Sequence, residues 1–159
     1  MSIEEERHKA MKKAMFFLNR RPHTRYELKT KLYAREFRTP VIEFTLDELE
    51  RLHLIDDAFF AEGYLFELQQ KGQGSFRIRQ AMSKRGIAKD IIDSLLESIA
   101  PEDEYDIATR VLERKMNSLC REKDKRKRYQ KGYRFLASRG FTSDTIRNVL
   151  DEVMTKEEE

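Results

Sequence analysis

Residues that cross-link, break or kink a chain are scarce here: one cysteine, three prolines and six glycines in 159 residues. Cys120, having no second thiol, cannot close an internal disulfide, which excludes a disulfide-braced secreted scaffold. No apolar run approaches the roughly 18 residues that span a bilayer. The acidic start Met-Ser-Ile-Glu-Glu-Glu also lacks the basic-then-apolar layout of a secretory signal. These absences predict a cytoplasmic chain with no membrane contact. Histidine occurs only at 8, 23 and 53, without a Cys/His cluster or a His-Glu-x-x-His pattern, so no metal site is expected. Gly72-Gln73-Gly74 lacks the third glycine and the preceding strand of a dinucleotide fingerprint, and reads as a flexible connector. No nucleophile motif surrounds Cys120 and no carboxylate pair stands out as acid and base. A non-enzymatic protein with no cofactor is therefore expected.

What is present is charge and helical periodicity. Charged residues make up 38% and apolar residues 39%, with Leu, Glu, Lys, Arg and Ala abundant. Helices tolerate these residues best, so the fold class is predicted as all-α. Apolar residues recur at helical spacing almost throughout, which unstructured charged chains do not show. The large charged fraction points to high surface relative to volume, as in elongated repeat proteins.

An internal repeat gives that expectation a form. Superposing Glu36, Gly86 and Gly140, at offsets of 50 and 54, aligns three stretches without gaps. Leu32, Met82 and Leu136 stand four residues before the anchor, and Phe37, Ile87 and Phe141 one after. Ile42, Ile92 and Ile146 follow at the sixth position, then Leu46, Leu96 and Leu150 at the tenth, on one face of a following helix. Arg85-Gly86 and Arg139-Gly140 each combine a last-turn cation with a glycine suited to a left-handed turn. Glu36 replaces glycine in the first copy, where a looser or differently shaped turn is expected. Upstream helices are predicted near 7–20, 57–70 and 104–120, matched by Ala14, Ala61 and Ala108. Asp56 or Asp57 caps the second, Thr24-x-x-Glu27 reads as a capping box, and Thr39-Pro40 and Thr142-Ser143-Asp144 open third helices. Between upstream and middle helices the third copy carries the run Arg121 to Arg128 as a basic connector. The prediction is three tandem three-helix, helix-turn-helix-like repeats, at 1–54, 55–100 and 101–159, forming an elongated, curved, monomeric array.

A net charge of +3 is too small to identify a partner, so its distribution matters more. By thirds, residues 1–55 carry 12 basic and 9 acidic groups, 56–104 carry 6 and 10, and 105–159 carry 14 and 10. Within these thirds, residues 71–89 hold six basic groups and no acid, and 121–139 hold nine against Glu122 and Asp124. Such runs are most often solvated faces. Here Tyr129 and Tyr133 interleave with cations, and the other block gathers about a helix-turn-helix. The candidate binding residues are Arg77, Arg79, Lys84, Arg85 and Lys89, with Lys125, Arg126, Lys127, Arg128, Lys131, Arg134 and Arg139. They read as a strip facing phosphates or an acidic partner. Direct DNA binding by a helix-turn-helix regulator is the alternative reading.

Several separated elements carry a family resemblance. A hydrophobic-Asp-Asp step enters a Phe-bearing helix at Leu54-Ile55-Asp56-Asp57-Ala58-Phe59-Phe60-Ala61. Then come Lys71-Gly72-Gln73-Gly74-Ser75-Phe76-Arg77-Ile78-Arg79-Gln80 and the turn Lys84-Arg85-Gly86-Ile87. Together with Tyr26-Glu27-Leu28-Lys29 before them and Tyr133-Arg134-Phe135-Leu136 after, the order and spacing resemble the RecX family, bacterial regulators of the RecA recombinase. Glu36 and His53 stand where the family pattern has glycine. The resemblance implies binding to RecA filaments on single-stranded DNA, with limited filament growth, ATPase and strand exchange in DNA repair and recombination. Double-stranded DNA would be bound only non-specifically. It implies no residue-level site.

Overall fold

The computed structural model describes residues 1–156. Nine helices and no strand are found among the described residues: α1 (Ile3–Leu18), α2 (Arg25–Ala34), α3 (Thr39–Arg51), α4 (Asp57–Gln70), α5 (Ser75–Lys84), α6 (Lys89–Ser98), α7 (Pro101–Leu119), α8 (Lys125–Ser138) and α9 (Ser143–Lys156). They follow in order as three tandem three-helix repeats.

Caps explain most boundaries. The Ser2 side chain accepts the Glu5 N–H and starts α1 four residues earlier than its apolar pattern suggests. Thr24 and Glu27 exchange hydrogen bonds in a capping box at α2. Of the two aspartates before α4, Asp56 caps, accepting the Phe59 N–H at 3.1 Å, while Asp57 accepts the Arg25 N–H at 2.9 Å. Thr142 caps α9 through the Thr145 N–H. At α3 the capping position is Arg38, with no side-chain cap, and Thr39 is already helical. Pro40 pre-sets that first turn, and the buried Glu6 carboxylate accepts the Arg38 N–H at 2.9 Å.

The anchor residues share one geometry. Glu36, Gly86 and Gly140 have φ of 65°, 75° and 91°, all left-handed. Each closes a Schellman motif in which the next residue's N–H reaches back to the carbonyl of Leu32, Met82 or Leu136. The expectation of a looser turn at Glu36 is thus corrected. The same two reverse hydrogen bonds form there, Phe37 N–H to the Leu32 carbonyl and Glu36 N–H to the Tyr33 carbonyl, and they hold a non-glycine residue left-handed. His53, at φ 57°, ends α3 in the same way. The residues flanking these turns belong to the core: Leu32, Met82 and Leu136 are fully buried, as are Ala14, Ala61 and Ala108, and Ile42, Ile92 and Ile146 nearly so.

The chain forms two compact units, one comprising residues 1–63 with 82–91, the other 64–81 with 92–159. In the first unit α1, α2 and α3 enclose Phe17, Leu28, Leu32, Ile42, Leu46 and Leu49. In the second, α7, α8 and α9 enclose Leu112, Leu136, Phe141, Ile146, Val149 and Leu150.

Each unit also contains the same joint between successive repeats. In the first unit the turn after α5 docks on the start of α2: the Thr24 hydroxyl donates to the Arg85 carbonyl at 2.6 Å, and a Cβ on Gly86 would stand 2.2 Å from that of Tyr26. In the second unit the turn after α8 docks on the start of α5. Gly74 N–H donates to the Arg139 carbonyl at 2.8 Å, Phe76 N–H to the Gly140 carbonyl at 2.9 Å, and a Cβ on Gly140 would meet the Arg77 nitrogen at 2.5 Å. Thr24 and Gly74 are 50 residues apart, Arg85 and Arg139 are 54, so the repeat offsets carry one contact onto the other. The glycine-rich connector is therefore a seat for the next repeat's turn, and Gly74 is required because backbone meets backbone.

Candidate nucleic-acid interface

The candidate cations near α5 are largely engaged within the protein. Arg77 Nε donates to the Ser138 carbonyl at 2.8 Å as part of the second joint. Arg79 pairs with Asp93 at 2.7 Å across α5 and α6. Arg85 pairs with Glu27 at 3.2 Å across the first joint. Burial pushes the Glu27 carboxyl up, but hydrogen bonds from Arg21 and the Thr24 N–H, with nearby Arg85, lower it overall. Lys84 ends α5 exposed, with no ion-pair partner among the described residues, and Lys89 opens α6. These five residues share a segment of sequence, yet Arg77 and Arg85 serve the joints between repeats and Arg79 ties α5 to α6.

The second block has a different character. The expected connector, Arg121 to Arg128, is shorter than it reads: Asp124 accepts the N–H groups of Arg126 and Lys127, so Lys125, Arg126, Lys127 and Arg128 form the first turn of α8. Arg128 Nε donates to the Glu122 carbonyl at 3.0 Å, and Lys131 pairs with the Glu122 carboxylate at 3.0 Å. The Lys131 hydrogen bond, first among its causes, holds the Glu122 carboxyl below the usual range. Arg126, Lys127 and Arg134 are exposed and have no carboxylate partner among the described residues. Arg139 places its guanidinium 5.4 Å from the centre of the Phe135 ring, with Lys115 on the same ring at 5.3 Å. Lys71, Val111 and Arg114 complete a groove of about 220 Å³ around them.

A third cluster escapes a count by thirds. Residues 7–26 hold seven Lys and Arg and no acid, but the nine acids of the same third, all outside that stretch, mask them in the count. In the structure Lys9, Lys12, Lys13, Phe16, Arg35 and Phe37 line a groove of about 460 Å³. The sequence signal was available: Lys9, Lys13, Phe16 and Arg20 are spaced 4, 3 and 4 residues apart, one stripe of a helix. No group of three or more His, Cys, Asp or Glu able to hold a metal ion occurs among the described residues. No helix among them is long and apolar enough to cross a membrane.

Comparison with known proteins agrees with this three-repeat geometry. The family models for the first, second and third three-helix domains of RecX match residues 10–49, 56–96 and 102–150 in order. The chain is 36% identical over 147 residues to the regulatory protein RecX of Chlorobium phaeobacteroides, covering 91% of this chain and 93% of that one. This chain belongs to the RecX family. It is also 32% identical to the regulatory protein RecX of Prosthecochloris aestuarii, covering 96% of this chain and 98% of the relative. The fold is that of the crystal structure of RecX from Lactobacillus salivarius, with a TM-score of 0.89 at 23% identity over 96% of this chain and 99% of that one. The left-handed φ at Glu36 and His53 is a conformation that glycine adopts without strain.

Proposed function

We propose that this chain regulates a RecA recombinase by binding its filament on single-stranded DNA, limiting filament growth, ATP hydrolysis and strand exchange. The observation that carries the proposal is a set of α8 cations, Arg126, Lys127 and Arg134, without carboxylate partners among the described residues, on a chain of the RecX family. Regulation of this kind needs no active site: preferential binding to one filament conformation or to its growing end shifts assembly by the difference in affinity. Several modules engaging neighbouring subunits or phosphates raise affinity through effective concentration. Association should weaken as salt rises, since exposed cations meeting phosphates release counterions.

The test is a titration into RecA assembled on single-stranded DNA, following ATP hydrolysis and filament length together. Both should fall, and inhibition at substoichiometric amounts would mark capping of filament ends rather than coverage of the lattice. A recombinase whose hydrolysis and length stay unchanged at saturating amounts would end the proposal.

A further inference from the structure

The first-repeat groove has no place in the proposed function as stated, and its composition is specific. Lys9, Lys12, Lys13, Arg20 and Arg35 surround it or its rim, and none has a carboxylate partner among the described residues. Their neighbours show that acids were available nearby: Arg25 is held by Glu43, Asp47 and Glu50 at 2.8, 2.9 and 3.1 Å, and Arg38 by Glu6. Lys9 and Lys13, four apart on one helix, repel each other, which costs the helix a few tenths of a kcal/mol. Phe16 is 47% exposed, and Lys13 Nζ and Arg20 Cζ each lie 4.9 Å from its ring centre.

We propose that the groove between α1 and the C-terminal end of α2 binds single-stranded nucleic acid, its cations on successive phosphates and an unstacked base on the Phe16 ring. From Lys9 to Arg20 the stripe runs about 16 Å along α1 and just beyond it, at 1.5 Å per residue. That length spans several phosphates of one strand, whereas a single nucleotide would leave most of the cations unused. A duplex offers phosphates but no free base face, so it has no use for an exposed ring bracketed by cations. An acidic peptide would neutralise the charges and leave the ring uncovered. In the third repeat only two of these cations recur, Arg114 and Arg139 at the repeat positions of Arg20 and Arg35, while Asp103 and Asp106 stand where the first repeat has Lys9 and Lys12. The middle repeat has Glu67 at the position of Arg20, so the full stripe of cations about an exposed ring belongs to the first repeat. This inference deepens the proposed function, from which it takes only the presence of a single strand, and its test needs no recombinase.

The experiment measures fluorescence anisotropy of a labelled oligothymidylate of roughly ten nucleotides with the full chain, across a salt series. Replacing three cations together, Lys9→Ala, Lys13→Ala and Arg20→Ala, should lower affinity about tenfold or more. It should also flatten the slope of log affinity against log salt by about 2, near 0.7 per lost phosphate contact. Alanine suits a helix, and far-UV circular dichroism should confirm unchanged helix content. Phe16→Leu should weaken the single strand about fivefold or more while leaving duplex binding unchanged. Photocrosslinking of an iododeoxyuridine strand should label the tryptic peptide Ala14–Arg20. Wild-type affinity and slope in the triple variant, no label on that peptide, or poly-glutamate competing as well as the strand would each overturn the inference. The two readings fail separately. Strand binding unaffected by these variants, with recombinase inhibition intact, removes the groove alone; loss of inhibition in the wild type removes only the regulatory function.

Discussion

At Glu36 and His53 the backbone holds side chains in the left-handed region, at φ 65° and 57°. For an L residue this costs about 1–2 kcal/mol, and glycine escapes most of it. Both side chains are exposed and make no polar contact among the described residues, so nothing is lost with them. Glu36→Gly and His53→Gly should therefore each stabilise the protein by about 1 kcal/mol, raising the midpoint of thermal unfolding by about 2–4 °C. A midpoint unchanged or lowered in both variants would show that the strain is relieved elsewhere. The position of these turns was legible in the sequence, because Leu32 and Phe37 bracket Glu36 as Met82 and Ile87 bracket Gly86. Their shape was not. A glutamate gives no sign that reverse hydrogen bonds to Leu32 and Tyr33 will hold it where glycine usually stands.

Among the elements, α8 carries an electrostatic load at its start that opposes its own stability. Four cations, Lys125 to Arg128, occupy its first turn, where the helix macrodipole favours negative charge. Asp124 offsets part of this by accepting two first-turn N–H groups. Replacing the two cations without a carboxylate partner, Arg126→Glu with Lys127→Glu, should stabilise α8 by roughly 0.5–1 kcal/mol. The same change should weaken inhibition of recombinase ATP hydrolysis severalfold, if these cations face the nucleoprotein as proposed. Higher thermal stability together with unchanged inhibition would reduce the turn to a solvated face. In the sequence this segment reads as a connector because its cations hide the apolar period until Tyr129. Asp124, a good capping residue placed just before the run, was the cue to a helix starting there. In the other candidate block it is the ties within the protein that leave no cue. Arg77, Arg79 and Arg85 gather in sequence, but Ser138, Asp93 and Glu27, the groups that engage them, lie 61, 14 and 58 residues away and leave no local trace.

For the whole molecule, tandem arrangement makes stability a sum of repeat terms and joint terms, so damage at one joint should stay near it. The first joint lies in the unit of residues 1–63 and 82–91, the second in that of 64–81 and 92–159. Gly86→Ala would combine a φ of 75° with a Cβ 2.2 Å from that of Tyr26, a contact with a side-chain root that cannot swing away. Strain and overpacking together should cost about 2–4 kcal/mol. Hydrogen exchange should then accelerate on the order of a hundredfold at the start of α2 and around Arg85 to Ile87. Exchange in α7, α8 and α9 should be nearly unchanged. Gly140→Ala, at φ 91° and 2.5 Å from the Arg77 nitrogen, should give the mirror result, loosening Gly74 to Ile78 while α1, α2 and α3 keep their protection. Equal acceleration across both units in either variant would mean that the chain opens as one cooperative body. In that case the joints would be dispensable contacts within a single core, and modular engagement of a partner would lose its physical basis.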